Sequence, residues 1–152
     1  MTKFYTREQG NEGIKIPLTN LDGTSSNEYL IIRSIDSDEF RYAETDSKRD
    51  VYKASMIDDV EERKKMAKVA GLRLQIALVK GWSFTEEFNN ENVEAFLTGA
   101  PHIADAIDLI ATKRGMFLTK KPKSSGRSQD SKKKVKKSRK VPASATKTMK
   151  SN

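Results

Sequence analysis

The chain has 152 residues, with 29 Lys and Arg against 21 Asp and Glu and a formal net charge of +8, which is within the usual size of one folded domain. With no cysteine it has no disulfide, no thiolate nucleophile and no Cys-based zinc site. The N-terminal MTKFYTREQGNEG has no apolar leader and no run of about 18 apolar residues occurs anywhere, so the expectation is a soluble protein of a reducing cytoplasm, without a membrane span.

Charge is divided unevenly. From Thr119 to Asn152 eleven Lys and two Arg oppose one Asp, whereas the residues before them hold sixteen basic and twenty acidic groups. The basic character therefore belongs to the C-terminal segment, and the rest is mildly acidic. Residues 119–152 contain no aromatic residue, Leu or Ile, so they lack the apolar surface that would offset chain entropy and are expected to be disordered. Residues 1–118 are left to form a helical domain with a modest core.

The opening segment is polar and irregular, with Gly10, Gly13 and the turn-forming NLDGTSSNE at residues 20–28. Within it, IKIPL (Ile14 to Leu18) and EYLIIRSI (Glu28 to Ile35) are short, rich in β-formers and bounded by turn residues, as in a small hairpin or paired extended segments. Pro17 restricts the first to a sheet edge. DSDEF then sets Asp36 as a helix cap with Glu39 three positions on, and Phe40, Ala43, Val51 and Tyr52 are expected to face inward on a helix ending near Ala54.

DDVEE repeats that signal with Asp58 and Glu61, opening the longest helix, which reaches about Val79. Met66, Val69, Leu72, Ile76 and Val79 recur at spacings of three and four, and Ala70, Leu74, Ala77 and Leu78 widen the stripe enough to predict contact on more than one side. Gly71 inside it either weakens the helix or marks a close helix contact. Gly81 is expected to end this helix in a left-handed conformation. Asn89 or Asn90 caps the next, with Val93, Phe96 and Leu97 buried and Gly99 as the stop. Pro101 opens a last helix in which Ile103, Ala106, Ile107 and Ile110 face inward, Lys113 and Arg114 suit the negative end and Gly115 stops it. The predicted fold class is mainly α: a bundle of about four helices, a short extended N-terminal element and a disordered basic tail.

Catalytic chemistry finds little support. The single histidine, His102, sits in a first helical turn beside Pro101 rather than against a nucleophile. One histidine and no cysteine do not supply a metal-ligand pattern, and no glycine-rich phosphate loop occurs. Asp36, Asp38 and Glu39, and likewise Glu86, Glu87 and Glu91, read as charges at helix N-termini. No catalytic residue, metal or cofactor is assigned. In the basic run KKKVKKSRK, Lys132, Lys133, Lys134, Lys136, Lys137, Arg139 and Lys140 would bind DNA or RNA through phosphate neutralisation, without sequence preference, or else serve as a solubilising appendage. Aromatics that would stack on bases are missing from it. Trp82, with Phe84 and Phe88 close behind, either wedges a loop into the core or presents rings to another protein.

Taken together, LVKGWSF, NNENVEAFL, Pro101 and IADAIDLIATKRGMFL, preceded by EYLIIRSIDSDEFR, resemble the tail assembly chaperones of long-tailed bacteriophages over residues 14–118. That resemblance implies a non-enzymatic helper in the host-cell cytoplasm, absent from the finished virion. It would coat the tape measure protein, keep it soluble and help recruit tail-tube subunits. Self-association and a longer frameshifted form are further implications. On this reading the partner-contacting or fold-packing set is Leu72, Ile76, Val79, Trp82, Phe84, Phe88, Phe96 and Ile107.

Overall fold

The computed structural model describes residues 1–118. A 3₁₀ turn at Thr2–Phe4 leads into α1 (Arg7–Glu12), β1 (Ile14–Thr19), β2 (Ser25–Ile32), α2 (Asp38–Ser55), α3 (Val60–Leu78), β3 (Val79–Trp82), α4 (Asn90–Gly99), α5 (Pro101–Thr112) and α6 (Arg114–Leu118). The fold is thus mainly helical with a small sheet. The four helices expected from periodicity are α2 to α5; α1, α6 and β3 add to them. None of the described helices is long and apolar enough to cross a membrane. The expected disorder of residues 119–152 lies outside the described residues.

The sheet is antiparallel in the order β1-β2-β3, with β2 in the middle. Pro17 stands opposite Tyr29, whose N–H donates to Ser83 Oγ at 2.8 Å and whose carbonyl accepts from the Ser83 N–H at 3.1 Å. The Tyr29 backbone is therefore turned away from β1, so Pro17 directs its missing donor to the free edge, where it costs no ladder bond and discourages further strand pairing. Leu30 and Ile32 point the other way. They form the core with Leu78, Val79, Val93, Leu97, Ala104, Ile107 and Ala111, all buried.

Gly13, between α1 and β1, has φ +74°, and a Cβ there would lie 2.7 Å from the Ile32 carbonyl oxygen. Only glycine permits that turn.

Several local expectations are corrected. Ser37, not Asp36, caps α2 by accepting from the Phe40 N–H at 3.4 Å, because the Asp36 carboxylate is engaged elsewhere. It accepts from Thr6 Oγ1 at 2.9 Å, from Arg41 Nη2 at 3.0 Å, and from Arg114 through Nε at 2.7 Å and Nη2 at 3.1 Å. Three separate segments thereby converge on one carboxylate whose side chain is 11% exposed. The hydrogen bonds from Arg114 foremost, with those of Thr6 and Arg41, hold its pKa below the usual carboxylate value against the opposing effect of burial.

On α2 the inward face is Phe40, Ala43, Ser47 and Ala54; Val51 and Tyr52 are 47% and 64% exposed, since only α3 packs along this part of the helix and it covers the opposite side. Asp59 rather than Asp58 caps α3, accepting from the N–H groups of Glu61 and Glu62. Val69 is exposed. Gly71 makes no close contact, a Cβ there meeting no atom within 4 Å. Gly81 ends no helix. α3 stops at Leu78 and the chain passes into β3, where Gly81 pairs with Ile31 at a negative or extended φ, and a Cβ there would make only an ordinary contact with Ile31 Cδ1 at 3.7 Å. Arg33 finishes α3 instead, donating from Nη1 to the carbonyls of Ala77 and Val79 at 3.2 and 3.1 Å. α4 does end at Gly99, whereas α5 ends at Thr112 and Gly115 lies within α6 rather than stopping α5. On α5, Ala104 and Ala111 are buried with Ile107, while Ala106 is exposed; the inward stripe is one position away from the expected one on that side.

Two measurements test this arrangement. In denaturant unfolding, Gly13→Ala should lose more than about 2 kcal/mol, combining a strained φ with a backbone clash, whereas Gly23→Ala, at φ +83° but with open space around it, should lose about 1 kcal/mol. Asp36 contributes stability that is complete above its unfolded pKa of about 4 and is lost as pH falls through its lower folded value. Asp36→Asn should accordingly be less stable at neutral pH, with a shallower loss of stability on acidification than the parent chain.

Candidate functional site

Helix α3 has two sets of neighbours. On one side α2 is held by Ser47 Oγ, which donates to the Ala70 carbonyl at 3.1 Å, and by an ion pair of Arg73 with Asp50. On the other side α4 and α5 pack near its C-terminal end through Leu78, Leu97, Ala104 and Ile107. Toward the middle of α3 these two sets diverge. An apolar groove of about 730 Å³ opens there, floored by Leu78, Leu97 and Ala104 and walled by Phe40, Leu72 and Leu74.

Gly71 forms a notch in the α3 wall of this groove, where the absent side chain leaves open space. The opposite wall is the face of α5 that carries Asp105 and Asp108, with Thr98, Pro101 and Thr112 completing it. Gln75 Nε2 donates across the groove to Asp108 Oδ2 at 2.7 Å. The groove offers apolar surface with one acidic rim, which suits binding of an amphipathic segment.

A second feature is an aromatic cluster at the end of the sheet. The ring of Trp82 is edge-on to Phe84, Phe88 and Phe96 at centroid distances of 5.2, 5.4 and 6.0 Å, and Phe84 lies 5.1 Å from Phe96. Trp82 Nε1 donates to the Glu86 carbonyl at 2.9 Å, folding the loop after β3 back over the indole. Ser83 fixes its base through Tyr29 and by donating to the Glu28 carboxylate. Asn89, accepting from the Asn92 N–H at 2.8 Å, then starts α4 and brings Phe96 under the rings. Trp82, Phe84 and Phe96 pack against the core, while Phe88 is 42% exposed at the rim of the cluster.

The residues singled out from sequence fall into three places. Leu72 lines the groove. Val79 and Ile107 are buried in the core and Ile76 packs against it, and Trp82, Phe84, Phe88 and Phe96 form the aromatic cluster. His102 is exposed at the second position of α5, and among the described residues no group of His, Cys, Asp or Glu is arranged to hold a metal ion. Lys132, Lys133, Lys134, Lys136, Lys137, Arg139 and Lys140 lie outside the described residues. Sequence reasoning missed Phe40, Asp105 and Asp108 as groove residues. The available signal was Gly71, a glycine in the interior of a helix of good helix formers.

The family whose model matches the chain is described as phage tail assembly chaperone, and the match covers residues 2–109. No curated protein and no solved structure matches the chain.

Because Gly71 is exposed and a Cβ there meets nothing, Gly71→Ala should raise stability by about 0.5–1 kcal/mol through helix propensity alone, measured by chemical denaturation.

Proposed function

Since the chain belongs to the phage tail assembly chaperone family, we propose that its α3–α5 groove receives helical segments of the tape measure protein, keeping that protein soluble and helping to recruit tail-tube subunits as the tail is built. The observation that carries this reading is an apolar groove left open between helices whose own packing is otherwise complete. A long helix that will later be enclosed in a tube exposes an apolar stripe until then, and such a stripe aggregates unless it is covered. A shallow groove walled by helices covers a stripe through contacts at every third or fourth residue and releases it when a better-matched surface arrives. This role requires no bond-making chemistry and places the protein in the host-cell cytoplasm during assembly, outside the completed virion. Coverage of a long partner calls for many copies, so self-association on the partner belongs to the same proposal.

Co-expression tests the proposal. A tape measure fragment that is insoluble alone should become soluble with the wild-type chain, and Gly71→Leu, which fills the notch, should lower the soluble yield several-fold while Gly71→Ala retains it. Circular dichroism and the melting temperature of the two variants establish that both are folded. Equal rescue by Gly71→Leu would remove the groove from the mechanism, and failure of the wild-type chain to bind any tape measure segment would remove the partner.

A further inference from the structure

Charge around the groove is uneven. Asp105 and Asp108 stand three residues apart on the α5 rim, one helical turn along, and among the described residues Lys68 on α3 is the only basic one lining the groove. Among the described residues the side chains of Asp105 and Lys68 engage in no hydrogen bond or ion pair, and that of Asp108 has only the neutral amide of Gln75. Among the other described carboxylates, Asp36, Asp38, Glu44, Asp46, Asp50 and Glu61 have basic partners and others, such as Glu87 and Glu94, do not; Asp105 and Asp108 differ from the latter in flanking an apolar groove. Carboxylates left unpaired beside an apolar groove gain most from a cation delivered by whatever fills it, because the occupant also displaces water from around them.

We propose that the groove selects a helix of particular chemistry: an apolar stripe flanked by Lys or Arg three or four residues apart, lying along α5 so that its two cations meet Asp105 and Asp108. This rests on the reading of the groove as a helix-receiving site and adds the rule by which it chooses among helices. Spacing is the key to the match. Residues three or four apart on one helix advance by about one turn of roughly 5.4 Å, as Asp105 and Asp108 do, so two helices side by side bring both pairs into register together. An acid-flanked helix with the same stripe would place like charges opposite each other and lose affinity by repulsion.

The test uses the full chain and two fluorescein-labelled helical peptides with an identical leucine stripe, one flanked by Lys and one by Glu, titrated by fluorescence anisotropy at physiological salt. The Lys-flanked peptide should bind roughly fivefold more tightly, the scale expected of two rim ion pairs. Asp105→Lys should abolish or reverse the preference. Because Asp105 is exposed and unpartnered, this substitution leaves the fold unchanged, and Asp108→Asn provides a second, milder variant. Equal binding of both peptides, insensitive to Asp105→Lys yet abolished by Gly71→Leu, would overturn the charge rule and leave the groove reading standing. Binding of neither peptide, or binding unaffected by Gly71→Leu, would overturn both. Concentration-dependent dimerisation lost in Gly71→Leu, together with absent peptide binding, would assign the groove to a second copy of this chain and likewise overturn the proposal.

Discussion

Helix α3 must serve two packing interfaces at once, and the rest of the molecule is arranged around how it divides them. α2 takes the side bearing Ala70 and Arg73, where Ser47 and Asp50 supply polar anchors that fix the register of the pair. α4 and α5 take the side bearing Leu78, where the contact is apolar and tied directly to the sheet through Leu30 and Ile32. The two groups of neighbours approach α3 from different directions and do not meet over its middle. The uncovered stretch between them is the groove, and Gly71 deepens it by withholding a side chain where one would fit. Leaving apolar surface open in this way forgoes roughly 1.5–3 kcal/mol for each large side chain that could have been buried there.

That division holds only if the segments around Thr6 and Arg114 keep the sheet and α5 in place, which gives the Asp36 cluster its importance. The segment from Arg33 to Ser37 passes between α1 and the end of α5, its amides donating to the carbonyls of Gly10 and Ala111 at 3.2 Å each. Asp36 then joins Thr6, Arg41 and Arg114. An ion pair on an open surface contributes little, but a mostly buried carboxylate with several donors from different segments is costly to leave unsatisfied. Losing it would loosen α6 and the start of α2 together, and with them Phe40 and Thr112 at one end of the groove.

The parts of this architecture that were legible in the sequence are those fixed by local physics. α2 to α5 follow from apolar spacing, and α4 and α5 start at Asn89 and Pro101 as side-chain chemistry dictates. What escaped is determined by partners distant in the chain. β3 exists because Val79 to Trp82 meet the edge of β2, a pairing across about fifty residues that makes Gly81 a strand residue rather than a helix stop. Asp36 has the right neighbours for a cap, yet arginines from two other elements claim its carboxylate and Ser37 takes the role. On the site, Trp82 drew notice because it is the single tryptophan, whereas the groove is built from ordinary residues on four helices whose meeting no local pattern announces.

The two apolar features differ in how completely they are satisfied, and on the proposed reading this separates support from recognition. In the aromatic cluster the indole has its hydrogen-bond acceptor in Glu86, its faces and edges meet three phenyl rings at favourable distances, and the loop from Ser83 to Asn89 is closed over it by further bonds. An environment of that kind offers a newcomer only what it would first have to disrupt. In the groove the apolar walls face open space and the flanking Asp105 and Lys68 side chains are unpaired, so a helix docked there as proposed would gain contacts without breaking any except the Gln75 amide bond to Asp108. The proposed binding would begin from a preformed surface. Because the cluster anchors α4 against β3, and α4 contributes Leu97 and Thr98 to the groove, the rings would act on the proposed recognition at one remove, by holding that wall in position.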